Sequence, residues 1–380
     1  MKKIRLLTPG PVMVPEDVML EMARPIEHHR TAWYKDLVRQ CHELLQYLFQ
    51  TKSQVITIAG SGTAAAEAAI VGCCPPGHKA LVLLNGKFAE RWGKVCDAYG
   101  IEHTKLAIEW GYGAKAADVV KAMDADRKLD TVICVHSETS TTALTDIEGI
   151  GRVTRDRGAI FIVDGITAVG AIPAKMDDWG VDAYITGSQK ALMLPPGLGI
   201  VAVSDRAWER IESGKTPTLY NDLKAYRKSL KEWDVPYTPA VSLVRGLLVV
   251  LKAIKERGLE AIWAETALLA KATRTAAAAL GLKVYAHDPV DSVTGLWVPQ
   301  GVNESTLRKT MRASYGFQIA GGQGELTGKV IRFSHMGYMD AFDMLGAVSA
   351  LEMCLAAQSY RFEPGAGVAA AQKVFAAALK

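Results

Sequence analysis

DAYITGSQKALMLPPGLGIVAVS, residues 182–204, reads as two apolar strands, 182–188 and 199–204, joined by a loop with two prolines and two glycines. A parallel pair needs a dozen or more connecting residues, usually a helix. At least one strand of this pair is therefore expected to run antiparallel. The first strand ends on Ser188, Gln189 and Lys190. A lysine set between small residues at the end of a buried run can lose its proton and serve as nucleophile or base.

Upstream, short strands alternate with helices. VITIAG (55–60) leads into the alanine-rich helix SGTAAAEAAIVGCC, and KALVLL (79–84) into a helix over about 87–99. TVICVHS (131–137) precedes a helix with Thr145 as N-cap and Glu148 as capping-box partner, then AIFIVDG (159–165). Most strands are apolar on consecutive residues, which suits a sheet covered on both faces. The expected fold is α/β, with a mainly parallel sheet covered by helices.

Beyond Ser204, residues 205–240 read as irregular connection. Long helical stretches run from 241 to about 281, broken near Gly258. GLKVYA, SVTGLWVP and GKVIRFSHMG are candidate strands, with a helix capped by Asn303 and a closing helix in DAFDMLGAVSALEMCLAAQ. This divides the chain into an extended N-terminal segment (1–20), a large domain (21–244), a smaller α+β domain (245–362) and a tail (363–380).

The 380 residues are 49% hydrophobic with a formal net charge of +4, a globular composition with no reason to bind nucleic acid. No apolar stretch reaches membrane-span length, and Pro9, Pro11 and Pro15 interrupt any signal-peptide core. The cysteines at 41, 73, 74, 96, 134 and 354 show no C-x-x-C spacing. Reduced thiols in the cytoplasm and no metal site are expected.

Ligands of such sheets sit beyond the carboxyl ends of the strands. Ser61, Gly62 and Thr63 follow one strand, His136, Glu138, Thr139 and Ser140 another, Asp164 a third, and Ser188 and Lys190 a fourth. These are either separate caps and ion pairs or one site. GSGT opening a helix suits a phosphate, because glycines let the backbone approach and free N–H groups face the anion. It is not a nucleotide-binding P-loop. An acid that ends four apolar residues, as Asp164 does, is costly unless paired. A phosphate cradle, an acid and a lysine on neighbouring strand ends together suit pyridoxal phosphate.

VDGITAVGAIPAKMDDWGVDAYITGSQKALMLPPGLG (163–199) resembles the cofactor signature of class V, fold-type I aminotransferases, in particular the alanine–glyoxylate, serine–glyoxylate and serine–pyruvate group. The likeness runs from TPGPVMVP to VIRFSHMG. It implies a large domain with a seven-stranded sheet, a small C-terminal domain, and a homodimer with its active sites at the interface. By this resemblance Lys190 is the lysine that carries pyridoxal phosphate, and Asp164 the acid facing the pyridine nitrogen. Ser61, Gly62, Thr63 and Gln189 contact the phosphate, Phe88 stacks on the ring, and Thr139 bonds its hydroxyl side. Thr238 reaches the phosphate of the other subunit, and its usual tyrosine companion is Val235 here. Arg332 clamps the substrate carboxylate, Pro9 and Gly10 line the substrate pocket, and His29 and Arg30 in HHRT lie near the entrance.

The resemblance implies ping-pong transamination between a small amino acid (alanine, serine or aspartate) and a small 2-oxo acid (glyoxylate or pyruvate). An aminoethylphosphonate transaminase, another enzyme of the class, and a catalytically quiet subunit of a larger complex are the alternatives. Desulfurase chemistry needs a mobile-loop cysteine, and YGFQIAGGQGELTGK before Arg332 has none.

Overall fold

The computed structural model describes residues 3–379. Among them, seven strands form one central sheet: β1 (Gln54–Ala59), β2 (Lys79–Leu84), β3 (Glu102–Ala107), β4 (Leu129–Val135), β5 (Ile160–Asp164), β6 (Ala183–Gly187) and β7 (Leu198–Val203). Their spatial order is β1-β7-β6-β5-β4-β2-β3. β7 pairs antiparallel with both β1 and β6, and the other pairings are parallel. The short 189–197 connection thus reverses the chain, as its length requires. Every residue of β5, β6 and β7 is buried, because helices cover both faces of the sheet.

The sheet contains one strand that the apolar pattern did not show. β3, EHTKLA, is the edge strand and is mostly exposed or half-buried, so its sequence is polar. Residues 205–240 hold two helices rather than an irregular connection. Asp205–Ser213 is capped by Ser204 and buries Ala207, Trp208 and Ile211. Leu223–Leu230 is capped by Asp222 and buries Leu223, Tyr226 and Leu230. Each is apolar along one narrow stripe, which a mostly polar composition conceals.

Three further expectations need correction. Asp146, not Thr145, caps the helix Ile147–Asp156, its carboxylate accepting the Gly149 N–H at 2.9 Å. The extended lead-in ends before residue 20, since Glu16–Met22 is helical. GLKVYA forms no strand and contributes only the bridge Val284–Leu296.

A second core forms over a three-stranded sheet of β8 (Val293–Trp297), β9 (Ala320–Gly321) and β10 (Val330–Ser334). The N-terminal segment reaches it: Arg5–Leu6 pairs in parallel with Phe317–Gln318, and the Ser334 N–H donates to the Leu7 carbonyl at 2.8 Å. This pins residues 5–7 to the C-terminal half and leads the chain on toward the ends of the central strands. The tail is a docked helix, Ala366–Ala377, with Ala371 fully buried among Ala272, Ala276 and Val348. Ala371→Glu, which forces an unpaired charge into that seam, is expected to destabilise the protein by at least ~3 kcal/mol. Thermal melting checks this, with Ala371→Ser as a mild control.

Candidate active site

The carboxyl ends of β1, β4, β5 and β6, with the helix after β2, open on one cavity. Its lining includes Ser61, Gly62, Thr63, Phe88, Thr139, Asp164, Gln189 and Lys190. Four strand ends therefore serve one site.

Asp164 is the last residue of β5, registered between Val135 of β4 and Ile185 of β6. Its Oδ1 accepts the Ile166 N–H at 2.9 Å and its Oδ2 the Trp92 indole N–H at 3.1 Å. Burial pushes its carboxyl up to about 7, against the pull of those donors and of Lys190. Lys190 follows β6 and is 8% exposed. Its Nζ donates to the Pro9 carbonyl at 2.5 Å. Burial depresses its ammonium to about 8, with Arg332 and Arg91 lowering it further and Asp164 opposing them. Gly10 lies against this side chain, and a Cβ there would collide with Lys190. Glycine also suits the φ of +107° at that position.

Ser61 is N-cap of the helix Gly62–Cys73 and makes no side-chain cap bond. The first N–H groups of a helix have no intrahelical acceptor, so Gly62 and Thr63 present donors and the positive dipole end to the cavity. A Cβ on Gly62 would lie 2.6 Å from Ile166 Cδ1, so a side chain there would force Ile166 to shift. Arg91 donates to Thr63 Oγ1 at 3.0 Å and lies over the Phe88 ring at 5.1 Å from its centroid.

Arg332 sits in β10 and is 4% exposed. It crosses from the small sheet to the large one, donating from Nη1 to the Thr139 carbonyl at 2.6 Å and from Nε to the Gly321 carbonyl at 2.8 Å. Burial lowers its guanidinium to about 10, still charged at neutral pH. The Thr139 hydroxyl bonds Thr167 Oγ1 at 3.0 Å. Glu138 beside it is fully buried and accepts from the Ala89 N–H at 2.9 Å and the Ser140 N–H at 3.0 Å. This carboxylate fastens the helix carrying Phe88 to the loop carrying Thr139. His136 is a core residue instead, bonded to the Tyr184 hydroxyl at 2.6 Å and held neutral by burial.

Of the expected site residues, His29, Arg30, Thr238, Pro9, Gly10 and Arg332 are not among the lining of this cavity, although Pro9 and Arg332 bond its lining residues Lys190 and Thr139. Arg30 pairs with Asp234 at 2.5 Å and donates to the Val235 carbonyl at 2.7 Å, while His29 stacks on His28. The two loops are thus tied to each other, with Thr238 exposed. Tyr237 is engaged in the same chain, donating to the Leu219 carbonyl at 2.8 Å and stacking on Tyr220. The sequence reading missed Trp92 and Arg91. Trp92 stands four residues after Phe88, so helical spacing puts both on one face, which is the signal that could have found it.

In chemical terms, the cavity offers an anion cradle, a carboxylate and a lysine of depressed basicity, and the buried Arg332 guanidinium is bonded to one of its lining residues, Thr139.

Comparison with known proteins places the chain in a family and a fold. The family model for aminotransferase class-V matches residues 18–344. The chain is 40% identical to a Synechococcus protein called soluble hydrogenase, small subunit, over 99% of both chains. It is 34% identical to the serine–glyoxylate aminotransferase of Methylorubrum extorquens, over 96% of this chain and 94% of that one. The structure of ureidoglycine–glyoxylate aminotransferase from Bacillus subtilis superposes with a TM-score of 0.95 at 27% identity, covering 99% of each chain. With its fold-type I architecture and a family match across most of its length, the chain belongs to the class-V aminotransferases.

Proposed function

We propose that the protein is a pyridoxal-phosphate enzyme that moves the amino group of a small amino acid (alanine, serine or aspartate) to glyoxylate or pyruvate. The observation that carries this is that buried Asp164 and buried Lys190 line one cavity together with a helix N-terminus. The residues fit the cofactor. Ser61, Gly62 and Thr63 would hold its phosphate, with the Gln189 side-chain N–H as a further donor lining the cavity. Phe88 would cover the ring, Asp164 face its nitrogen and Lys190 carry it. When bound, pyridoxal phosphate supplies the electron sink that lets a Cα–H bond of an amino acid break.

The chain's own residues do the rest. Arg332 binds the substrate carboxylate with a planar fork already oriented by the Thr139 and Gly321 carbonyls. That fixes which Cα bond faces the reaction. Lys190 Nζ takes the Cα proton, and its depressed basicity leaves a useful neutral fraction near physiological pH. Asp164 holds negative charge where the ring nitrogen carries positive charge. One site serves both half-reactions in turn, so the first oxo acid leaves before the second enters.

The active unit we assign is a homodimer in the cytoplasm. The exposed surface around Thr238, with His29 and Arg30 nearby, is a part of the expected site that stands apart from this chain's own cavity. Six buried, unbridged cysteines support a reducing compartment. Among the described residues, no helix is long and apolar enough to cross a membrane.

The test incubates the protein and pyridoxal phosphate with L-serine, L-alanine, L-aspartate or aminoethylphosphonate, each with glyoxylate or pyruvate, and quantifies product glycine or alanine. One of the three amino acids is expected to yield stoichiometric oxo acid and glycine or alanine. Turnover with aminoethylphosphonate alone would move the activity to that transaminase. A protein that binds no cofactor would favour the subunit role that the Synechococcus relative's name carries.

A further inference from the structure

We infer that Trp92 is a positioning residue for Asp164: its indole N–H orients the carboxylate and keeps it ionised toward the ring nitrogen of the cofactor. The inference rests on reading the cavity as a pyridoxal-phosphate site. Trp92 is 1% exposed, in the apolar core that also holds Ile133, Ile162 and Ile185. Its Nε1–H is the only polar group of the side chain, and it donates to Asp164 Oδ2 at 3.1 Å. The Ile166 N–H occupies Oδ1, so the two carboxylate oxygens have one donor each and the plane of the carboxylate is fixed.

The site gives this bond leverage. Asp164 is 4% exposed and lies where burial and the Glu138 carboxylate both favour the protonated form. Cys134 and Tyr184 also interact with it electrostatically and are themselves fully buried and neutral. Against these stand Lys190, the Ile166 N–H and the Trp92 N–H. A hydrogen bond to the charged form favours it. With the balance near neutrality, losing one of two donors moves the ionisation through the working range. A protonated Asp164 cannot hold a positive charge on a ring nitrogen.

A buried tryptophan N–H also needs an acceptor for its own sake, and that structural role predicts a different outcome. Trp92→Phe keeps an aromatic ring and most of the packing while removing the donor. Pyridoxal phosphate is titrated onto cofactor-free wild type and W92F across pH, following bound-cofactor absorbance. A parallel titration uses an analogue with carbon in place of the ring nitrogen. For pyridoxal phosphate, W92F is expected to bind about tenfold more weakly near neutral pH. Affinity that depends on ionised Asp164 is present above its pKa and lost as pH falls through it, so the acid limb should move upward by about one unit. The analogue should bind both proteins alike, and W92F should add nothing in a D164N background. An unmoved acid limb, or an equal loss for the analogue, overturns the inference and leaves Trp92 as packing. Failure of the wild type to bind pyridoxal phosphate overturns the reading of the cavity itself. If W92F does not fold, D164N supplies the comparison: an acid limb that persists there overturns the role of Asp164 ionisation.

Discussion

Lys190→Ala should leave a folded protein whose transaminase activity is down by at least about 10³–10⁴-fold, the scale of a lost general base. The structure explains why no neighbour substitutes. Among the described residues lining the cavity, the one other cationic side chain is Arg91, which is engaged with Thr63 and Phe88. His136, the nearest imidazole in sequence to the strand ends, is occupied by Tyr184 in the core. Lysine at this position also has a pH signature. Nζ accepts a proton only when neutral, and burial puts its pKa at about 8. The rate in wild type should therefore climb as pH rises through about 8 and fall below it. In K190A the residual rate should lose that limb, and small added amines should restore part of it. Steady-state rates across pH, with and without methylamine, are the measurement. Wild-type turnover by K190A would remove Lys190 from the reaction.

The Pro9 carbonyl makes a finer point about the same group. It accepts from Nζ at 2.5 Å, and Gly10 lies where any side chain would strike the lysine. The N-terminal segment is thus built around Lys190 and reaches it because residues 5–7 are pinned to the small sheet.

Much of this site was legible in the sequence because strand ends are legible. Apolar runs terminate abruptly at Asp164 and Lys190, and a buried charge has few cheap explanations. The antiparallel β7 followed from loop length alone. The unread parts carry a weak local signal or none. β3 is polar because it is an edge, and edges are set by the order of strands in space. The 205–240 helices bury single stripes under a polar surface. Trp92 looks like any core aromatic until the register of β4, β5 and β6 brings Asp164 to its nitrogen. Arg30 and Thr238 stand in sequence motifs resembling site elements, yet the chain folds them onto a neighbouring surface.

Arg332→Leu carries the second large effect, and it should fall on substrates rather than on the cofactor. Arg332 makes no contact with the phosphate cradle or Asp164, so cofactor affinity should change by less than about threefold. Its guanidinium is buried, oriented by two carbonyls and forced to stay charged at neutral pH. A substrate carboxylate placed against it gains a charge-assisted, geometrically fixed partner in a low-dielectric site. Losing one side of such a buried pair costs about 3–5 kcal/mol, which is roughly two to nearly four orders of magnitude in kcat/KM. The loss should be common to every amino acid and oxo acid, because all share the α-carboxylate. Arg332→Lys should recover little, since one ammonium cannot keep the Thr139 and Gly321 carbonyls and present a fork as well. Amines that lack the α-carboxylate provide the internal control: their slow reaction should be nearly unaffected by R332L. If R332L slowed amines and amino acids equally, Arg332 would be holding the two sheets together rather than recognising substrate. The Thr139 carbonyl it bonds would then be its whole purpose.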